Sequence, residues 1–182
     1  GFPCQPFSNA GKRLGFQDNR QGNLFFAIKD IVETKRPKVV FLENVRTLKG
    51  HDKGNTFKTI NYAFEELDYY ETHEVISAKF WVPQNRVRIF MVYLDKSIFT
   101  EEDKANFQAE LTKLKDGNNK KVKAFSSIME AKPDKSFQIP QGTWDSLQRH
   151  RARHRQAGRG FGYKLIKDYS QATNTLSARY AK

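Results

Sequence analysis

The sequence predicts an α/β fold followed by a second, irregular lobe. Helical and strand patterns alternate through the first hundred residues, as is typical of α/β proteins. Beyond about Ser97 this periodicity gives way to short apolar pieces and turn residues. With 182 residues, 38% of them apolar, the chain can form one core plus a small lobe. We therefore place an α/β domain at residues 1–97 and the second lobe at residues 98–182.

The first predicted elements are a helix over residues 22–36 and a strand over residues 38–42. The helix ends before Pro37, which cannot continue it. The strand is a continuous apolar run rich in β-branched residues, which is typical of a strand buried on both faces of a parallel sheet. The apolar residues at helical spacing are Leu24, Phe25, Ile28, Ile31 and Val32.

Three further elements complete the predicted α/β domain. A polar turn at residues 51–55 leads into a second helix over residues 57–67. The patterns at residues 69–78 and 88–94 predict two strands, and the connection between them is expected to make the pair antiparallel.

The second predicted lobe carries most of the net positive charge. It opens with a short amphipathic helix that Thr100 can cap, followed by a loop at residues 115–123. Residues 101–182 hold 17 Lys/Arg against 9 Asp/Glu, whereas residues 1–100 hold 15 against 11. Residues 149–159 contain five arginines and no acid. We interpret this stretch as a phosphate-contacting surface, the alternative being a solvated helix face.

Cys4 is the first candidate for chemistry. Because it is the only cysteine, an internal disulfide and any zinc site that needs two thiolates are excluded. Pro3 and Pro6 flank it and favour a rigid loop over a packed helix, although an inert buried thiol is the alternative interpretation. The four histidines show no spacing typical of a metal site or a hydrolase triad.

Two other polar groupings could meet Cys4. Glu43 follows the first predicted strand, at the carboxyl end where sites form in open α/β sheets. Arg86 and Arg88 alternate by two residues, so they share one face if the last strand has begun there. A nucleophile, a carboxyl group and two guanidiniums could thus converge on one small planar substrate.

Four short motifs stand in order along the first hundred residues. They are Pro3 to Ser8 (PCQPFS), Gly22 to Phe25 (GNLF), Glu43 to Val45 (ENV) and Gln84 to Arg88 (QNRVR). In this order and spacing they resemble the DNA (cytosine-5) methyltransferases. The tail, with GFGY at 160–163 and TNTLSARY at 173–180, is similar to the target-recognition domain of bacterial members, including those of the Dcm type. The resemblance implies part of a Rossmann-like methyltransferase sheet with a target-recognition lobe.

The resemblance also implies a role for each polar group of the first domain. Cys4 matches the nucleophile that adds to C6 of cytosine, so that C5 can attack the methyl group of S-adenosylmethionine. Glu43 matches the carboxyl group that holds N3 and the exocyclic amine. Arg88 resembles the residue that holds O2 of the base, and Arg86 approaches the cysteine and the base.

The remaining implied contacts are to the methyl donor and to double-stranded DNA. Pro3 and Leu24 match positions that lie against S-adenosylmethionine. Because C6 is stacked inside a duplex, the target cytosine must be flipped out of the helix. The expected DNA-binding residues are Gln5, Ser8, Lys12, Thr175 and the basic-stretch arginines Arg149, Arg151, Arg153 and Arg155.

The expected setting is a bacterial restriction-modification or host-protection system. We expect a cytoplasmic monomer that does not bind membranes, since the chain has no apolar run near 18 residues. No Phe-x-Gly-x-Gly loop precedes Cys4, so we read the chain as a piece of a longer protein and expect these 182 residues not to methylate DNA alone. The alternatives are a DNA-binding fragment without chemistry and a tRNA cytosine-5 methyltransferase, with a cysteine hydrolase less favoured.

Overall fold

The computed structural model describes residues 1–2, 24–160 and 162–175. Helices and strands alternate in these ranges, which confirms the predicted α/β class. The helices are α1 (Leu24–Lys35), α2 (Asn55–Glu65), α3 (Glu101–Lys115) and α4 (Gln141–Gln156), and the strands are β1 (Val39–Val45), β2 (Tyr69–Ser77), β3 (Gln84–Asn85), β4 (Val87–Asp95) and β5 (Thr173–Asn174).

The turn between α1 and β1 is fixed by contacts to the far end of β4. Arg36 leaves the helix with a φ of +44°, one residue before the proline that was predicted to end it. Its guanidinium donates to the Leu67 carbonyl and to the Asp95 carboxylate, the latter at 3.0 Å. Asp95 is only 3% exposed, and it also accepts hydrogen bonds from the backbone and side chain of Ser97. Both oxygens of the buried Asp95 carboxylate therefore accept hydrogen bonds, one from Arg36 and the other from Ser97.

The main sheet has the strand order β1-β4-β2. β4 lies in the centre and pairs antiparallel with both neighbours. The predicted antiparallel pairing of the second and third strands is therefore confirmed. The expected parallel neighbours of β1 are not found within the described residues, where β1 pairs with β4 alone.

The two faces of the sheet are covered to different extents. One face packs against α1 and α2, where the rings of Phe64 and Tyr93 stack 3.7 Å apart. The other face meets α3 beside β2 but leaves β1 open, so Phe41 is 58% exposed. The prediction that β1 is buried on both faces is wrong for the described structure, because an apolar run does not reveal how far a covering helix extends.

The predicted cap of α3 is confirmed. The Thr100 hydroxyl accepts from the Asp103 backbone amide at 3.2 Å, and the Asp103 carboxylate accepts from the Thr100 backbone amide at 2.8 Å. This reciprocal pair satisfies amide groups that would otherwise lack partners at the helix start. The side chain of Gln108 then ties α3 to β2, since its oxygen accepts from the Thr72 hydroxyl at 2.9 Å.

The segment 124–172 leaves and rejoins the sheet at a single connection, residues 78–86 between β2 and β4. On the outgoing side the Lys123 amide donates to the Lys79 carbonyl at 2.8 Å. On the returning side the Thr173 amide donates to the Pro83 carbonyl at 3.0 Å, which begins the parallel pairing of β3 with β5.

Helix α4 lies within this segment, where a helix was considered only as the alternative interpretation of residues 149–159. The expectation of irregular structure is therefore wrong for Gln141–Gln156. The helix has no fully buried residue, so it lacks the apolar stripe on which the sequence prediction depends. None of the described helices combines the length and the apolar character needed to cross a bilayer.

Candidate active site

Glu43, Arg86 and Arg88 come together as the sequence predicted. One carboxylate oxygen of Glu43, Oε1, lies 3.1 Å from Nε of Arg88 and 3.4 Å from a terminal nitrogen of Arg86. The side chain of Arg88 is 19% exposed, whereas those of Glu43 and Arg86 are 34% and 44% exposed. Arg88 is thus the more firmly placed of the two guanidiniums, and its Nη1 also donates to the Val87 carbonyl at 2.8 Å.

The sheet register explains this convergence. Glu43 pairs with Phe90 and Val45 pairs with Arg88 across β1 and β4. Residues two apart on a strand share a face, so Glu43, Arg88 and Phe90 project from the same side of the sheet. Arg86 lies between β3 and β4, two residues before Arg88, and its contact with Glu43 places its side chain on the same side.

This cluster forms one wall of a groove of about 400 Å³ on the open face of the sheet. Aromatic rings of Phe41 and Phe90, stacked with 5.7 Å between centroids, line its floor. The groove is therefore apolar except where the carboxylate and the guanidiniums enter it, which is typical of a small-molecule site. The other lining residues are Ile76, Ala78, Trp81, Leu111 and Leu114.

Asn44 anchors the start of the cysteine-bearing segment to β1. Its side chain is 1% exposed, and its amide nitrogen donates to the Phe2 carbonyl at 3.2 Å while its oxygen accepts from the Val45 amide at 2.8 Å. Phe2 itself is buried, with its ring 5.7 Å from that of Phe25. Asn44 was not among the predicted site residues, although it stands beside Glu43 in the ENV motif.

Gly1 lies directly against Glu43. A methyl group added at Gly1 would lie 3.0 Å from the Glu43 carbonyl oxygen and 3.7 Å from the second carboxylate oxygen, Oε2. One carboxylate oxygen thus contacts the two arginines, while the other lies on the side of Gly1. Carboxylate and guanidinium groups in this arrangement can accept from an amine and donate to a carbonyl of the same planar ring.

The other predicted site residues are distributed as follows. Pro3, Cys4, Gln5, Ser8 and Lys12 lie outside the described residues. Leu24 is the first residue of α1 and is 46% exposed, so its side chain is accessible for an apolar contact. Thr175 directly follows β5, and its hydroxyl donates to the Asn85 carbonyl at 3.3 Å, next to Arg86 in the sequence. The four predicted DNA-binding arginines of the basic stretch, Arg149, Arg151, Arg153 and Arg155, lie on α4 and are exposed.

Comparison with known proteins identifies the class. The family model described as C-5 cytosine-specific DNA methylase matches residues 1–182. The chain belongs to this family, so the predicted resemblance is confirmed.

Similar curated proteins include Type II methyltransferases from bacteria. The chain is 45% identical to M1.ScrFI of Lactococcus lactis subsp. cremoris and 42% identical to M.NlaX of Neisseria lactamica, with the whole chain aligned in both cases. It is 32% identical to the DNA-cytosine methyltransferase of Escherichia coli strain K12, again over its whole length. The chain spans 45%, 54% and 42% of these three relatives, about half of their length.

Proposed function

We propose that the whole protein transfers a methyl group to C5 of cytosine in double-stranded DNA, in a bacterial restriction-modification or host-protection setting. Family membership supports the reaction class, and the names of the relatives support the setting. The observation that carries the proposal is the Glu43 carboxylate, held by Arg86 and Arg88 at the wall of the groove and beside Gly1.

In the proposed reaction the Cys4 thiolate adds to C6 of the flipped cytosine. The electron pair of the C5–C6 bond becomes available at C5 while Glu43 shares or donates a proton at N3. Arg88 donates to O2 of the ring and opposes the charge that develops there. After C5 has gained the methyl group, the N3 proton returns to Glu43, a base removes the C5 proton, and the electron pair of that C–H bond expels the Cys4 thiolate.

S-adenosylmethionine supplies the methyl group when it is bound. Among the described residues, Leu24 fits this donor because its apolar side chain is exposed at the start of α1. Pro3 is the other proposed contact. For the DNA we propose contacts from Gln5, Ser8, Lys12 and Thr175 together with the basic helix α4.

The test uses the whole protein and DNA that contains 5-fluorocytosine, which blocks proton removal and traps the covalent complex. We expect Cys4→Ala to abolish both the trapped complex and methyl transfer from labelled S-adenosylmethionine. Glu43→Gln should lower the methylation rate about 10²- to 10⁴-fold, because a neutral amide cannot deliver the proton. Glu102→Gln, an exposed position on α3, is the matched control and should leave the rate unchanged.

Two results would count against the proposal. A trapped complex that persists in Cys4→Ala would remove the nucleophile from the mechanism. DNA binding without methylation by the wild-type protein, unchanged in all three variants, would instead support a DNA-binding protein without chemistry.

A further inference from the structure

The four arginines of α4 fall into two pairs on different sides of the helix. Arg149 and Arg153 are four residues apart, as are Arg151 and Arg155, so each pair shares a face. A step of two residues rotates a side chain by about 200° around a helix axis. The two pairs therefore point in nearly opposite directions and cannot all face one flat surface.

The side that carries Arg151 is occupied by the segment after the helix. The Arg151 guanidinium carbon lies 4.7 Å from the centre of the Tyr163 ring. Trp144, two turns earlier on the same side, has its ring 4.6 Å from that of Tyr163. Tyr163 is thus held between an aromatic ring and a cation, which is a favourable packing arrangement.

Gly162 permits this close approach. It has a φ of +134°, and a Cβ at this position would lie 2.9 Å from both Cβ and Cγ of Arg151. Any larger residue would have to push the turn away from the helix. The aliphatic stem of Arg151 therefore packs against the turn, in addition to its guanidinium stacking on the ring.

All four arginines are exposed, but among the described residues the following turn meets the helix at Arg151, which leaves the side that carries Arg149 and Arg153 open to solvent. Gln156, one turn beyond Arg153 and also exposed, extends this side with a further hydrogen-bond donor. Asp145 begins it, with its carboxylate accepting from the Gln141 side chain at 2.8 Å. The outward side thus offers two guanidiniums one turn apart, and guanidiniums match phosphate oxygens in charge and geometry.

We infer that Arg149 and Arg153 contact phosphates of duplex DNA, whereas Arg151 is a packing residue that holds the Gly162–Tyr163 turn against α4. Arg155 lies on the side of Arg151. This inference rests on the proposed function. It assigns different roles to arginines that the sequence alone placed together in one phosphate-contacting surface. The DNA backbone is the occupant that charge complementarity selects for the Arg149 side.

The test measures the salt dependence of DNA binding by the whole protein. The probe is a labelled 30-base-pair duplex of arbitrary sequence, titrated at several KCl concentrations. We expect Arg149→Ala and Arg153→Ala each to reduce the slope of log K against log salt by about 0.9, and the double variant by about 1.8. Arg151→Ala should leave this slope unchanged but lower the thermal midpoint, and Arg151→Lys should recover part of that loss by restoring the stem. Lys113→Ala, on the exposed surface of α3, controls for the loss of one positive charge and should not change the slope.

The outcomes separate this inference from the proposed function. If the wild-type protein binds duplex DNA with no salt dependence, or does not bind it, the proposed DNA substrate is wrong. If the wild-type protein binds with a clear slope but Arg151→Ala reduces it as much as Arg149→Ala does, only the division of the helix is overturned. The same holds if Arg149→Ala and Arg153→Ala leave the slope unchanged.

Discussion

Replacing Asn44 by alanine should destabilise the chain by about 2–4 kcal/mol. The side chain is 1% exposed and makes two hydrogen bonds, one to the Phe2 carbonyl and one to the Val45 amide. A net hydrogen bond contributes about 1 kcal/mol, and a buried group left without its partner costs about 1–3 kcal/mol. Alanine removes both bonds, a loss of about 2 kcal/mol, and a carbonyl or amide left buried without a partner raises the cost to as much as about 4 kcal/mol.

Urea unfolding of the 182-residue chain, followed by far-ultraviolet circular dichroism, measures this change. Asn44→Asp retains an acceptor for Val45 but loses the donor to Phe2, and it places a charge in a buried position, so it should cost at least as much. The matched control is Asn106→Ala on the exposed surface of α3, which should be neutral or slightly stabilising. A loss of less than 0.5 kcal/mol (about the size of an ordinary surface effect) in Asn44→Ala, with an unchanged m-value, would refute the reasoning.

Two further predictions concern a turn and a buried carboxylate. Gly117→Ala should destabilise the chain by about 1–3 kcal/mol, because Gly117 has a φ of +77° and a Cβ there would lie 2.5 Å from the Phe80 ring. The control is Gly142→Ala on α4, which has open space around it and should be neutral or stabilising. Equal losses of stability for the two variants in urea unfolding would contradict this account. Burial raises the pKa of Asp95, but hydrogen bonds from Ser97 and the charge of Arg36 outweigh it and hold the pKa below its usual value. The charged Asp95 therefore stabilises the fold above the unfolded-state pKa of about 3.9, and this contribution is lost as the pH falls through the lowered folded-state pKa. Asp95→Asn should accordingly lower the free energy of unfolding by about 1–3 kcal/mol at pH 7. The difference from wild type should persist at about pH 5 and shrink towards pH 3. A difference that is the same at every pH would disprove the role of the charge.

Much of the fold follows from signals that are local in the sequence. Pro37 ends α1, Thr100 and Asp103 form a capping box, and the antiparallel pairing of β2 with β4 follows from their short connection. Each signal acts over a few residues and depends on backbone geometry or on a single hydrogen bond. Strand alternation predicts that Arg86 and Arg88 share a face. Their convergence with Glu43 depends on the antiparallel pairing of β1 with β4, which brings the end of one strand to the start of the other.

The structural features that the sequence did not predict depend on contacts between distant positions. The Asn44–Phe2 hydrogen bond joins residues 42 apart, and no local pattern records it. The exposure of one face of β1 depends on where α3 stops covering the sheet. Helix α4 has no buried residue, so its sequence lacks the apolar periodicity from which a helix is predicted. The division of its arginines could have been noticed from their spacing, but which side is covered depends on Tyr163 and Gly162 in the following turn.

Both ends of the segment 124–172 are held by one connection, residues 78–86 between β2 and β4. Changes within that segment should therefore have little effect on the stability of the sheet. Lys123 and Thr173 bond to carbonyls only four residues apart, those of Lys79 and Pro83. A chain that departs from and returns to one short stretch behaves as a closed loop, and doubling the length of a flexible loop costs only about 0.6 kcal/mol. We therefore expect that the segment can be lengthened, shortened or exchanged while Glu43, Arg86 and Arg88 stay in place at the wall of the groove.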